Sequence, residues 1–137
     1  MSQLLSKPLT LKNGTVIKNR IFKSAMSEAL GTVDNHMTPQ LVNLYDRWAK
    51  GGTGLLISGN VMIDRKALGE PNNLVIEDES DMELLKQWAQ AGTQDNTEFW
   101  LQLNHPGKQT MRSLTKDPVA PSAIPFKPAM QKFFATP

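Results

Sequence analysis

Three polar clusters fall where an apolar run has just ended: Ser24 to Glu28, Ser58 to Asn60, and Gln102 to Lys108. Asn60 and Gln102 carry side-chain amides, which offer donors and an acceptor together and so can read the hydrogen-bonding edge of a heterocycle. Neither brings charge, so such groups orient a ligand rather than attack it. On spacing alone the plainer reading, simple capping of strand ends, weighs more, because isolated positions specify function weakly. The chain has no cysteine, which removes thiolate nucleophiles, cysteine-based zinc sites and disulfides together. His36 lies in a polar stretch with no partner at metal-ligand spacing and reads as solvated surface. His105 either lines a pocket or hydrogen-bonds its own loop. The single tyrosine, Tyr45, reads as core, as do Trp48 and Trp88.

The elements that must position these residues alternate in type. Leu9 to Ile17 alternates around Asn13-Gly14, a pair suited to a type I′ turn, and predicts a β-hairpin. Arg20 to Met26 reads as a strand and Ser27 to Met37 as a loop. Thr38-Pro39 opens a helix, with Thr as N-cap and Pro in the first turn. Its apolar face is Leu41, Leu44, Tyr45 and Trp48, and Gly51-Gly52 ends it with a left-handed cap. Gly54 to Val61 is a strand beginning with a continuous apolar run, the pattern of a parallel sheet covered on both faces. Asp64 to Glu79 reads as a polar loop. Ser80 and Glu83 form a capping box for a second helix with Met82, Leu85, Trp88 and Ala89 as its stripe. Phe99 to Leu103 is the third strand. Residues 108–137 hold five of the nine prolines and read as one long loop. Strands alternating with helices imply right-handed βαβ crossovers. Ligands in such folds gather at the C-terminal strand ends, where the three polar clusters lie.

Four segments carry a family resemblance. Ile17-Lys18-Asn19-Arg20-Ile21-Phe22-Lys23-Ser24-Ala25-Met26-Ser27 resembles the first-strand signature of the Old Yellow Enzyme family. Trp48 to Ser58 looks like its helix end and second strand, and Leu101 to Gln109 is similar to its Q-L-x-H-x-G-R motif. Val119 to Ile124 matches the A-P-S segment that follows, and all four come in family order. The resemblance implies a (β/α)₈ TIM barrel, of which this chain supplies the hairpin closing the bottom and about three βα units. Residues 1–137 would be the incomplete N-terminal part of one FMN-binding domain. Ser24, Ala25 and Met26 would lie along the flavin through backbone groups, and Ser27 would stand where the family places a Thr or Cys that tunes it. Asn60 would lie near the ring and Gln102 would bind its pyrimidine edge. The implied activity is reduction of activated C=C bonds, as in enones, with FMN as cofactor and NADH or NADPH as reductant. No catalytic residue falls within this chain; the carbonyl-binding pair, the proton-donating Tyr and the phosphate site are expected beyond Pro137. Ala25 replaces the usual proline, Lys108 the usual arginine, and Ala29 a substrate-binding tyrosine of some members.

Composition narrows the alternatives. Net charge is +2 with no basic block, so nucleic acid is not an expected partner. Leu55 to Ile57, an apolar run as long as any in the chain, is far too short for a membrane span, and Met1 to Lys7 has no secretory h-region, so a cytoplasmic location is the expectation. Two other readings stand beside the flavoenzyme. One is a non-enzymatic truncated piece needing a complementing chain and prone to self-association, with a homo-oligomer as the whole protein's counterpart. The other is a doubly wound α/β protein, against which the lack of a glycine-rich loop after the first strand counts.

Overall fold

In the computed structural model, which describes residues 3–137, the chain opens with an antiparallel hairpin of β1 (Leu9–Thr10) and β2 (Val16–Ile17). Its turn is not type I′. Gly14 alone of the Asn-Gly pair has positive φ, +89°, and its amide bonds the Leu11 carbonyl at 3.0 Å. The result is a three-residue loop closed by a left-handed glycine.

Four parallel strands follow: β3 (Phe22–Lys23), β4 (Leu55–Met62), β5 (Leu74–Val75) and β6 (Glu98–Asn104). β6 runs along one edge of β4, from Leu55 opposite Glu98 to Met62 opposite Asn104, while β3 and β5 pair with opposite ends of β4. β3 is far shorter than the expected Arg20–Met26. Beyond Lys23, the Ile57 carbonyl and the Gly59 amide of β4 are already taken by the side chains of Lys23 and Glu28. β5 lies inside the stretch expected to be loop, because two residues are too few to show a period.

The helices are α1 (Pro39–Lys50) and α2 (Met82–Gly92). Thr38 is the α1 N-cap in position only, since its hydroxyl donates to the Leu30 carbonyl at 2.7 Å. At the other end Gly51 stays right-handed and Gly52 supplies the positive φ. The capping box of α2 does not form. Asp81 is the N-cap, and its carboxylate turns away to accept from the Met37 amide at 2.8 Å and to meet His36 Nδ1 at 3.1 Å. Glu83 pairs with Lys86 at the surface instead. The buried stripe of α2 is also rotated from expectation, to Trp88, Ala91 and Gly92, leaving Met82 and Ala89 exposed.

Both helices cover one face of the sheet, where Met37, Leu41, Tyr45, Ala49 and Trp88 pack on Leu56, Val61 and Leu74. Tyr45 meets Trp48 and Trp88 edge-on, with ring centroids 5.0 and 5.1 Å away, and Phe99 closes the cluster from β6. Because Phe99 faces the helices, the two-residue pleat turns Trp100, Gln102 and Asn104 to the opposite face. The hairpin sits at the N-terminal end of the sheet. There Lys18 Nζ bonds the Asp95 carbonyl at 2.6 Å and Thr97 Oγ1 at 2.9 Å. Asn19 donates to the Gly52 carbonyl at 2.7 Å and accepts from the Ile21 amide at 2.9 Å, so it ties the hairpin exit to the start of β4.

Residues 108–137 contain no strand, but they close on themselves. Met111 bridges Phe134, the Arg112 amide bonds the Phe133 carbonyl at 2.8 Å, and Lys108 lies over the Phe126 ring. Among the described residues the sheet is open, a set of neighbouring barrel units rather than a closed barrel. No helix among them is long and apolar enough to cross a membrane.

Candidate functional site

The C-terminal ends of β4 and β6 lie side by side, the chain leaving β3 runs up to them, and together they carry the expected residues. Asn60 and Gln102 are cross-strand partners. Gly59, immediately before Asn60, packs so closely under the chain leaving β3 that a Cβ there would lie 2.4 Å from the Met26 carbonyl oxygen. The Met26 backbone beside Gly59 and the Asn60–Gln102 pair are thus neighbours, on the segment leaving β3 and on β4 and β6. Ser24 is exposed and Ala25 partly so, on the segment leading to Met26, whose own side chain is 62% exposed.

The polar groups are not equally available. Asn60 Oδ1 accepts from Asn104 Nδ2 at 2.7 Å, which fixes its rotamer. Ser27 donates its hydroxyl proton to the Glu70 carboxylate, so toward a ligand it presents lone pairs rather than a donor. The Gln102 amide is exposed and makes no hydrogen bond among the described residues, although its backbone N–H bonds Ser58 Oγ at 2.8 Å. An uncommitted side-chain amide suits a flat heterocycle whose edge alternates donors and acceptors. On this test the strand-end residues fit a flavin ring.

Two loops form a collar above these strand ends. Gly31 and Asn72 exchange hydrogen bonds at 2.9 and 3.1 Å, and the Asn35 amide donates to the Asn73 carbonyl at 3.0 Å. His36 is half-exposed, but it has a partner in Asp81 rather than solvent alone. His105 accepts from the Gly107 amide at 3.1 Å and so braces its own loop.

Sequence reasoning missed a buried polar cluster directly behind the strand ends. Lys23 and Glu28, with side chains 13% and 10% exposed, are paired at 3.2 Å. Glu28 Oε1 also accepts from the Gly59 amide at 3.0 Å and from the Tyr45 hydroxyl, while Lys23 Nζ donates to the Ile57 carbonyl at 2.8 Å and lies over the Trp48 ring. Burial, reinforced by the Glu28 charge, pushes the Tyr45 phenol far above its ordinary range. The signal was present: a lysine in the middle of a strand destined for burial needs an anion nearby.

With the geometry in hand, comparison with known proteins is direct. A family model described as the NADH:flavin oxidoreductase / NADH oxidase family matches residues 4–135. A curated relative, the NADH-dependent flavin oxidoreductase iliE of Hypocrea jecorina, is 37% identical over 129 residues, covering 87% of this chain and 32% of that protein. The solved old yellow enzyme homologue from Zymomonas mobilis is 27% identical with a TM-score of 0.77, over 88% of this chain and 33% of that one. The Old Yellow Enzyme from Pichia sp. shares the fold at a TM-score of 0.83 and 22% identity, over 96% of this chain and 35% of that one. The chain thus spans about a third of the length of these proteins.

Proposed function

Since the chain belongs to the NADH:flavin oxidoreductase / NADH oxidase family, whose cofactors are FMN and a nicotinamide, we propose that it forms the flavin-orienting third of an ene-reductase barrel. The supporting observation is that Asn60 and the free Gln102 side-chain amide are cross-strand partners beside the chain that carries Met26. When bound, FMN supplies two-electron chemistry between NAD(P)H and an activated C=C bond such as that of an enone. This chain's residues bind and orient. Gln102 offers paired donor and acceptor groups to the ring edge, the backbone from Ser24 to Met26 flanks the ring, and Ser27, its proton given to Glu70, offers lone pairs. Asn60 is held in place by Asn104 beside them.

The 137 residues alone carry out no turnover in this reading. Tyr45, the only tyrosine, is fully buried between helix and sheet and cannot protonate a substrate at the strand ends. A cytosolic location belongs to the same proposal. Titrating the complete protein with FMN, followed by flavin fluorescence, tests it. Gln102→Leu should weaken binding about tenfold, the equivalent of one or two net hydrogen bonds. Unchanged affinity in that variant would remove Gln102 from the site.

A further inference from the structure

β4 is bulged where the site is built. Between Ile57 and Asn60 it advances three residues while β6 advances two, from Trp100 to Gln102. A bulge strips ladder partners from the backbone around it. Here side chains hold the bulge from both edges: across it Ser58 Oγ accepts from the Gln102 backbone N–H at 2.8 Å, and on the edge that β3 leaves open beyond Lys23, Lys23 Nζ reaches the Ile57 carbonyl at 2.8 Å and Glu28 Oε1 the Gly59 amide at 3.0 Å. A carbonyl and an amide left open side by side call for one donor and one acceptor. A lysine–glutamate pair supplies both and neutralises itself in a dry place.

We infer that Glu28, with Lys23 as its counter-charge, is a positioning residue: it clamps the Gly59 bulge from the helix side and so sets where Asn60 and Gln102 stand on the opposite face. This rests on the flavin reading above. Glu28 bonds to Lys23, Tyr45 and Gly59, and it acts on the ligand-facing surface through the backbone. Apolar replacements would fill the same volume but leave the bulge free to relax into regular pairing, which would shift Asn60 against Gln102 by one residue and reverse the face it presents.

The test compares Glu28→Ala, Glu28→Gln and a core control, Leu41→Ala, in the complete protein. FMN affinity and the flavin absorption spectrum are read in the presence of FMN, and hydrogen exchange of the Gly59 amide in its absence. Glu28→Ala should accelerate Gly59 exchange and weaken FMN by about tenfold or more, with a shifted flavin band. Glu28→Gln keeps an oxygen for the Gly59 amide and should stay within about threefold of wild type. Leu41→Ala should lower stability yet leave the FMN spectrum unchanged. Should Glu28→Ala not fold, Lys23→Met carries the same expectation. Wild-type Gly59 exchange and FMN binding in the clamp variants, or equal weakening in the core control, overturns the inference. Wild-type protein without FMN affinity overturns the flavin reading instead, while Gly59 exchange still reports on the clamp.

Discussion

Tyr45 joins two roles at one residue, filling the aromatic cluster with its ring and donating to Glu28 with its hydroxyl. Burial first, then the Glu28 carboxylate, raises its pKa far above the ordinary 10.0. The unfolded chain therefore releases this proton near pH 10, while the folded chain keeps it. Stability conferred by the neutral phenol is complete below pH 10 and declines above it, at about 1.4 kcal/mol per pH unit for one proton. Comparing urea unfolding of wild type and Tyr45→Phe from pH 8 to 11 should show the variant losing that slope; parallel curves would exclude Tyr45 as its source. Gly59 yields a second prediction at this scale. A Cβ there would lie 2.2 Å from Glu28 Oε2 and 2.4 Å from the Met26 carbonyl, so Gly59→Ala should cost about 1–3 kcal/mol in urea unfolding. No loss would mean that the bulge yields freely. Much at this scale was legible: the strand-end places of Met26, Asn60 and Gln102 follow from where the apolar runs stop. What they bond to was not, because Ser27 with Glu70 and Asn60 with Asn104 are contacts across long sequence separations.

At the scale of elements, α2 meets β6 with almost no clearance. Gly92 ends the helix buried against Phe99, and a Cβ on it would stand 2.4 Å from Phe99 Cδ1. Helix propensity alone favours alanine there by about 1 kcal/mol. Steric cost should win, because the Phe99 ring is wedged against Tyr45 and Trp88, each with its centroid 4.9 Å away, and cannot swing aside. Gly92→Ala is expected to destabilise by about 1–2 kcal/mol net, and the penalty should shrink in a Phe99→Leu background, a coupling that a double-mutant cycle measures. Additive penalties would show that the ring is not the obstacle. The same crowding explains what the sequence concealed. Helix period located α1 well, since Leu41 and Tyr45 of the expected face are buried and Leu44 and Trp48 partly so, with Ala49 added, whereas α2 turned its Ala91–Gly92 edge inward to fit Phe99 and left Met82 outside. The Ser80–Glu83 pattern failed as a capping box because Asp81 found a better partner in the Met37 amide. β5 was invisible for want of length: only Leu74 and Val75 join the sheet.

Over the whole molecule, the strand–helix rhythm revealed a parallel sheet that could open either a doubly wound fold or a barrel, the four family-like segments named the barrel, and exposed strand edges were expected of a truncated piece. Among the described residues β6 pairs with β4 alone, so its far edge is open there. Leu101 and Leu103 share the face that the helices cover elsewhere, yet are 41% and 66% exposed, and Trp100 on the reverse face is 40% exposed. An unpaired edge flanked by apolar side chains is a template for a second copy, and a net charge of +2 offers little repulsion against it. The isolated 137-residue chain is therefore expected to self-associate with rising concentration in sedimentation velocity. Leu103→Glu should hold it monomeric, because each added copy would then bring a like charge to the shared seam. Co-expression with the segment that completes the barrel should suppress association in the same way, by covering β6. An isolated chain that stays monomeric at high concentration and binds FMN tightly would show that β6 needs no cover and that these strand ends hold the cofactor unaided, against both the open-sheet argument and the proposed inactivity.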